Sequence, residues 1–253
     1  MTPDQYVESV LSKYAVARGP NSPSERLAVS VTPAIQSWAG QQLNIIQFSG
    51  SYAKETAVRG TSDVDLLISL KSDTTNSLKE IFNSLYDLAN RNTWSPRKQN
   101  VSIRITINGT LADLVPAKVQ SGYQNYHSLY LCKRDSWTQT NVTLHVEKVR
   151  NSRRLCEIRA IKIWRLIHNL DWPSLYLELF AIQSLSGRSQ TSLSENVLHV
   201  LRTMEKSLTS TRIEDPSNTN NILSDELTTQ EKQRIGNLAG QSVRKQNWGD
   251  IIS

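Results

Sequence analysis

The sequence is short of the residues that build metal clusters and covalent frameworks. Of 253 residues, only 2 are cysteine and 4 are histidine. Cys132 and Cys156 lie far apart, and no His/Cys cluster has zinc spacing. Neither a disulfide framework nor a zinc site is therefore expected. Glycine (10) and proline (8) are also scarce, which argues against long disorder and fibrous repeats. No internal repeat of solenoid period is present. No apolar run is long enough to span a membrane. The first residues, MTPDQYVESVLSKY, carry two early acids and lack the apolar stretch of a secretory signal. A reducing cytoplasm is the expected compartment. Acid is in modest deficit, with 23 Asp plus Glu against 29 Lys plus Arg and a net charge of +6. That balance suits a mildly basic soluble protein or one whose partner carries phosphates.

What remains is enough to build a real hydrophobic core, in one large domain or two small ones. Thr2 and Pro3 open a helix expected over 3–17. A second helix is expected over 23–39, with Leu27, Val31, Ala34, Ile35 and Trp38 on one face. LNIIQF (43–48) and VDLLISL (64–70) read as strands. A helix over 74–90 turns Leu78, Ile81, Leu85 and Leu88 inward. VSIRITI (101–107) alternates as a half-buried strand does. Asn108-Gly109 is a strong hairpin turn signal, and TLADLVPAKV (110–119) is the antiparallel partner. After about residue 135 helices dominate, at 142–169, 174–186, 190–209 and 228–246, with a polar, turn-rich interruption at 213–221. The expected fold class is α+β. Residues 1–135 make the mixed core with its N-terminal helices, and residues 136–253 make a helical domain. A cleft between them is the expected ligand site.

The stretch GSYAKETAVRGTSDVDLLISL (50–70) concentrates the chemistry. Asp63 and Asp65, at i and i+2, share one face of a strand. Like charges so placed repel unless something positive lies between them. Asp113 is the best third carboxylate, because an acid among Leu111, Leu114 and Val115 is costly unless paired or metal-bound. Three carboxylates suit Mg²⁺, which prefers oxygen ligands and shares them with phosphates. An isolated SDxD also suits a solvated turn at the entry to a strand. The Gly-Ser pair and Asp113 shift the reading toward metal. Gly50 lets backbone approach a phosphate closely, and Ser51 opens a short helix whose N–H groups face outward.

GS, then K-x-T-A, then SDxDL, then a late AD on a hairpin strand resembles the DNA polymerase β nucleotidyltransferase superfamily. Within it, the stretch is most similar to the oligoadenylate synthetases and to the bacterial CD-NTases of anti-phage CBASS systems, with archaeal CCA-adding enzymes third. DPSNTNN (215–221) is similar to a DP…N segment of these groups. The resemblance implies a polymerase β-like core with a C-terminal helical domain. It implies metal-dependent transfer of a nucleotidyl group from ATP or another nucleoside triphosphate to a hydroxyl. Two Mg²⁺ or Mn²⁺ ions would sit on Asp63, Asp65 and Asp113. The product would be a cyclic or linear oligonucleotide messenger acting on a downstream effector protein. Nucleotide addition to an RNA 3′ end and a non-catalytic nucleotide-binding module are the alternatives. Glu55 departs from the pattern, because relatives usually carry glycine after this lysine.

In the helical half, Cys156, Ala160, Ile163, Trp164 and Ile167 form an apolar stripe on NSRRLCEIRAIKIWRLIHNL. Arg154, Lys162 and Arg165 are expected on the opposite side, as a solvated basic face or toward the ligand. The resemblance implies that a lysine there, best matched by Lys162, grips the donor triphosphate. It implies also a serine touching phosphate (Ser174) and an aromatic ring stacking on the base. Tyr176 suits that stacking role and equally suits a core position. The four histidines share no spacing and read as structural or surface residues.

Overall fold

The computed structural model describes residues 1–60 and 63–253, with every side chain there but that of Gln124. Ser62 of the SDxD motif lies outside the described residues. Two compact units emerge. One comprises Ala17–Lys54 and Ser62–Val146, and the other Met1–Val16, Glu55–Thr61 and Glu147–Ser253.

The first unit is a sheet backed by helices. Its strands are β1 (Leu43–Phe48), β2 (Val64–Leu70), β3 (Arg97–Lys98), β4 (Ile103–Ile107), β5 (Thr110–Gln120), β6 (Tyr123–Leu131) and β7 (Ser136–Thr140). They run in the order β1-β2-β5-β4-β3, with β6 pairing β5 and β7 pairing β6. Among the described residues only β2 and β5 pair in parallel; β1–β2 and β4–β5 are antiparallel. Asn108 (φ 49°) and Gly109 (φ 76°) both adopt positive φ and join Ile107 to its partner Thr110. That is the two-residue hairpin expected of an Asn-Gly pair. The strict period of two sends Val64, Leu66, Ile68, Ile103, Ile105, Ala112 and Leu114 to one face. There they pack with Leu27, Val31 and Ile35 of α2 (Pro23–Ala39) and Phe82, Leu85 and Leu88 of α4 (Leu78–Arg91). Ser77 and Glu80 close a reciprocal cap at the start of α4, so this helix begins four residues later than its apolar pattern suggests. The opposite face of β2 and β5 carries Asp65 and Asp113.

The second unit is helical. Helix α1 (Pro3–Lys13) is capped by Thr2 as expected and joins α6 (Leu155–Ile167), α7 (Ser174–Ser184), α8 (Leu193–Ser207) and α9 (Thr229–Val243) around one core. The helix expected over 142–169 is instead two, α5 (Val142–Arg150) and α6. The break is local: Arg153 takes φ 56°, and Ser152 turns its hydroxyl back to Val149 O. The turn-rich segment 213–221 builds a small hairpin of β8 (Glu214–Asp215) and β9 (Asn218–Ile222). No described helix is long and apolar enough to cross a membrane.

Candidate active site

The acids gather because of strand register. Asp65 on β2 is the direct partner of Asp113 on the parallel neighbour β5. Asp63 precedes β2 on the same face. From the other side of β5, antiparallel β4 sets Arg104 opposite Asp113. Arg104 then forks onto the carboxylates. Its Nε donates to Asp113 Oδ1 at 3.1 Å and its Nη2 to Asp113 Oδ2 at 3.0 Å. The same Nη2 also donates to Asp63 Oδ2. Asp113 is buried, whereas the Asp63 and Arg104 side chains keep about a third of their surface.

Electrostatics follow from this placement. Burial pushes the Asp63 carboxyl above its ordinary range, and the Asp113 charge adds to the push, while Arg104 opposes both. The Arg104 guanidinium is raised, first by its hydrogen bond to Asp113. The cluster of acids thus favours positive charge beside it.

Gly50 has a specific steric reason. Its φ is +56°, and a Cβ placed there would sit 1.8 Å from Asp65 Oδ2. Any side chain would drive Asp65 out of place. The neighbouring Ser49 N–H donates to Asp65 O at 2.8 Å, fastening this turn to β2. Gly50–Ala53 forms a helical turn of four residues, α3. Ser51 within it is buried.

The donor set fits a hard divalent cation: three carboxylates on one face, no nitrogen or sulfur ligand among them, and a glycine notch that lets Asp65 lie against backbone. In this arrangement Asp63 and Asp113 converge on Arg104. Among the described residues, no three His, Cys, Asp or Glu side chains are gathered closely enough to hold an ion as they stand.

The helical residues lie elsewhere than expected. Lys162 is 1% exposed. Its Nζ donates to Glu178 Oε1 at 2.6 Å and to Thr56 Oγ1 at 3.0 Å. Thr56, the threonine of the K-x-T-A motif, donates in turn to Glu178 Oε1 at 2.6 Å. Arg154 and Arg165 are buried too. Arg154 bonds Glu157 and the carbonyls of Leu185, Arg188 and Ser189. The basic residues expected on an outer face are therefore internal partners. Cys156 and Ile167, expected inside, are exposed. Helix α6 is enclosed on most sides, so its polar residues had to be satisfied within the core.

Ser174 opens α7 and accepts from Arg165 Nη1 at 3.2 Å. Tyr176 is fully buried, edge-on to Trp172 at 5.4 Å. Burial pushes its hydroxyl up to about 12, and among the described residues that hydroxyl has no hydrogen-bond partner. Stacking needs an exposed ring face, and Tyr176 presents none here. The DPSNTNN motif is a turn-building device. Asp215 Oδ1 accepts from Ser217 N at 2.8 Å and Ser217 Oγ at 2.7 Å. Beside this turn, within the helical unit, lies a cavity of about 540 Å³ lined by Lys148, Leu179, Ile182, Arg212, Asp215 and Thr219 among others.

The sequence reading missed Arg104 and this cavity. Arg104 had a signal: in a two-residue hairpin centred on Asn108-Gly109, residue 104 falls opposite residue 113. The cavity had none, since its walls come from three separate segments.

Solved structures, one of them a CD-NTase, share this fold, a sheet with three acids on one face and a helical unit, over nearly the whole chain. CdnC of Escherichia coli MS115-1, solved in a complex with HORMA-deltaN, superposes with a TM-score of 0.76 at 18% identity, over 98% of this chain and 96% of that one. CdnG of Bradyrhizobium diazoefficiens, in complex with GTP, gives 0.74 at 12% identity, over 96% and 91%. CdnE of Elizabethkingia meningoseptica, a cyclic dinucleotide synthase with GTP and Apcpp, gives 0.73 at 14%, over 96% and 99%. Among curated proteins, the chain is 23% identical over 155 residues to the cyclic AMP-AMP-AMP synthase of E. coli strain MS 115-1. That match covers 55% of this chain and 48% of the synthase, about half its length. No protein-family model matches the chain.

Proposed function

We propose that the chain is a metal-dependent nucleotidyltransferase that joins nucleoside triphosphates, ATP among them, into a cyclic or linear oligonucleotide messenger with release of pyrophosphate. The messenger would act on a downstream effector protein, in anti-phage defence. The observation that carries this reading is the register of Asp65 beside Asp113, with Asp63 and Asp113 held on one cationic group behind the Gly50 notch. The likeness to a cyclic AMP-AMP-AMP synthase and to nucleotide-bound CD-NTases supports it.

Asp63, Asp65 and Asp113 would hold two Mg²⁺ or Mn²⁺ ions, which supply Lewis-acid charge to the transferring phosphoryl group and acidify the acceptor hydroxyl. The protein's part is positioning. Gly50 leaves backbone bare where a phosphate would approach. The β2–β5 ladder fixes the spacing of Asp65 and Asp113, so neither must be ordered at the moment of reaction. Asp113, the more deeply buried acid, takes the proton of the acceptor hydroxyl.

The test is to incubate the purified chain with labelled nucleoside triphosphates and Mg²⁺ or Mn²⁺, with and without RNA, and to separate the products. Small oligonucleotides formed without RNA support the proposal. Label appearing only on RNA 3′ ends would replace it with terminal addition. Absence of any product alongside nucleotide binding would replace it with a binding module.

A further inference from the structure

Arg104 takes up the carboxylate oxygens that the proposed cation needs. Its guanidinium places Nε and Nη2 on Asp113 and Nη2 again on Asp63. Two ligand oxygens on one Mg²⁺, each about 2.0–2.1 Å from the ion, lie roughly 3 Å apart. Two oxygens bridged through a single N–H₂ group at hydrogen-bond distances stand farther apart. The guanidinium and a shared ion therefore exclude one another at Asp63 and Asp113. The absence of a gathered three-ligand cage among the described residues fits that exclusion. Arg104 has a way out, because its side chain is 34% exposed. It keeps its charge at any working pH, so only displacement, not deprotonation, can release the acids.

We propose that Arg104 is an internal competitor for the divalent cation: it holds Asp63 and Asp113 together in the metal-free protein and withdraws toward solvent when the ion loads. The inference rests on the metal reading proposed above. It gives Arg104 a positioning role. In the resting protein it offsets the repulsion between the buried Asp113 and the half-buried Asp63 and keeps them on one face. It also sets how much cation is needed to load the site, because apparent affinity falls with the fraction of molecules in which the acids are released.

The experiment is Mn²⁺ binding to the full chain without nucleotide, read by electron paramagnetic resonance, with circular dichroism and melting to confirm folding. If about one molecule in ten has its acids released at rest, Arg104→Gln tightens the Kd for Mn²⁺ about tenfold. Arg104→Lys, which keeps the charge but loses the fork, falls between wild type and Gln. Without metal, Arg104→Gln melts below wild type, and saturating Mn²⁺ closes that gap. Unchanged or weaker Mn²⁺ affinity in folded Arg104→Gln and Arg104→Lys overturns the inference. Two outcomes separate it from its premise. Binding lost in Asp113→Asn but equal in wild type and Arg104→Gln removes the competitor role alone. Binding unaffected by Asp113→Asn removes the metal reading and this inference with it.

Discussion

Lys162 Nζ lies 2.6 Å from Glu178 Oε1, with both side chains sealed from solvent at 1% and 0% exposure. The pair ties α6 to α7, and Thr56 bonds both partners. An ammonium held this way is a core element in this structure. The first prediction concerns its loss. Lys162→Met leaves the Glu178 carboxylate buried without its cation, and should cost about 3–5 kcal/mol of stability. Lys162→Met with Glu178→Leu should recover most of it, because two apolar side chains of similar volume remove both desolvation penalties. Thermal and denaturant melts of the two variants decide. A Lys162→Met protein that melts like wild type, with a raised Michaelis constant for nucleotide, would return Lys162 to the triphosphate-binding role that the family resemblance implies.

Much of the sheet was legible because strand signals are local. Asn108-Gly109 fixed a hairpin, its register fixed which residues face each other, and the i, i+2 acids fixed one face. The same arithmetic extended by three residue pairs would have delivered Arg104 opposite Asp113. The helical half was less legible for a physical reason. A stripe pattern assumes one wet side, whereas α6 buries Glu157, Lys162 and Arg165 alongside Ile158, Ile161 and Trp164. When a helix is enclosed, charge no longer marks the outside. The β6–β7 hairpin also escaped, since its turn at residues 132–135 carries none of the glycine-based turn signals that marked 108–109.

Gly50 supplies the second prediction. Gly50→Ala adds a methyl group where Asp65 Oδ2 already lies, at a backbone φ of +56°. Left-handed backbone alone costs a non-glycine residue about 1 kcal/mol, and the clash adds to it. The expected result is a protein that folds, melts lower by about 1–3 kcal/mol of stability, and has lost nucleotidyl transfer. Unimpaired turnover in Gly50→Ala would show that Asp65 need not occupy its present position.

The acids themselves give the third. Asp113→Asn and Asp63→Asn should each reduce product formation by about 10³-fold or more, the scale of several kcal/mol of lost cation charge in the transition state. Folding should survive both, because each keeps the shape of the side chain and relieves repulsion between neighbouring acids. Paired turnover and melting measurements check this, and a variant retaining near wild-type turnover would take that acid out of the site.

Glu55 is the residue that departs from the family pattern, and the structure shows what it faces. It holds φ at 62°, a backbone that favours glycine, and its carboxylate pairs with Arg150 Nη2 at 2.8 Å with both side chains 43% exposed. An exposed pair of this kind contributes about 0–1 kcal/mol, close to the strain it accompanies. Glu55→Gly should therefore change stability by less than about 1 kcal/mol. Glu55→Ala, which loses the pair and keeps the strain, should be the worse of the two. Melting temperatures of both variants settle the order, and a Glu55→Gly variant much less stable than Glu55→Ala would overturn the account.

The last prediction is a pH dependence. His127 is buried, with Nδ1 2.8 Å from Ser69 Oγ, on the same face of β2 as Asp65. Burial lowers its pKa below the ordinary 6.5, and burial likewise lowers those of His168 and His199. The unfolded chain therefore binds protons near pH 6.5 that the folded chain refuses. A depressed folded pKa means stability is fully present above 6.5 and is lost as pH falls from 6.5 toward the lower folded values. The melting temperature should accordingly decline on acidification from pH 7 to pH 5. His127→Gln should flatten part of that decline, since glutamine can still bond the Ser69 hydroxyl without taking up a proton. The comparison is between slopes in this window, so a constant loss from imperfect packing of glutamine does not disturb it. A His127→Gln slope as steep as wild type would assign the acid sensitivity to the other two histidines.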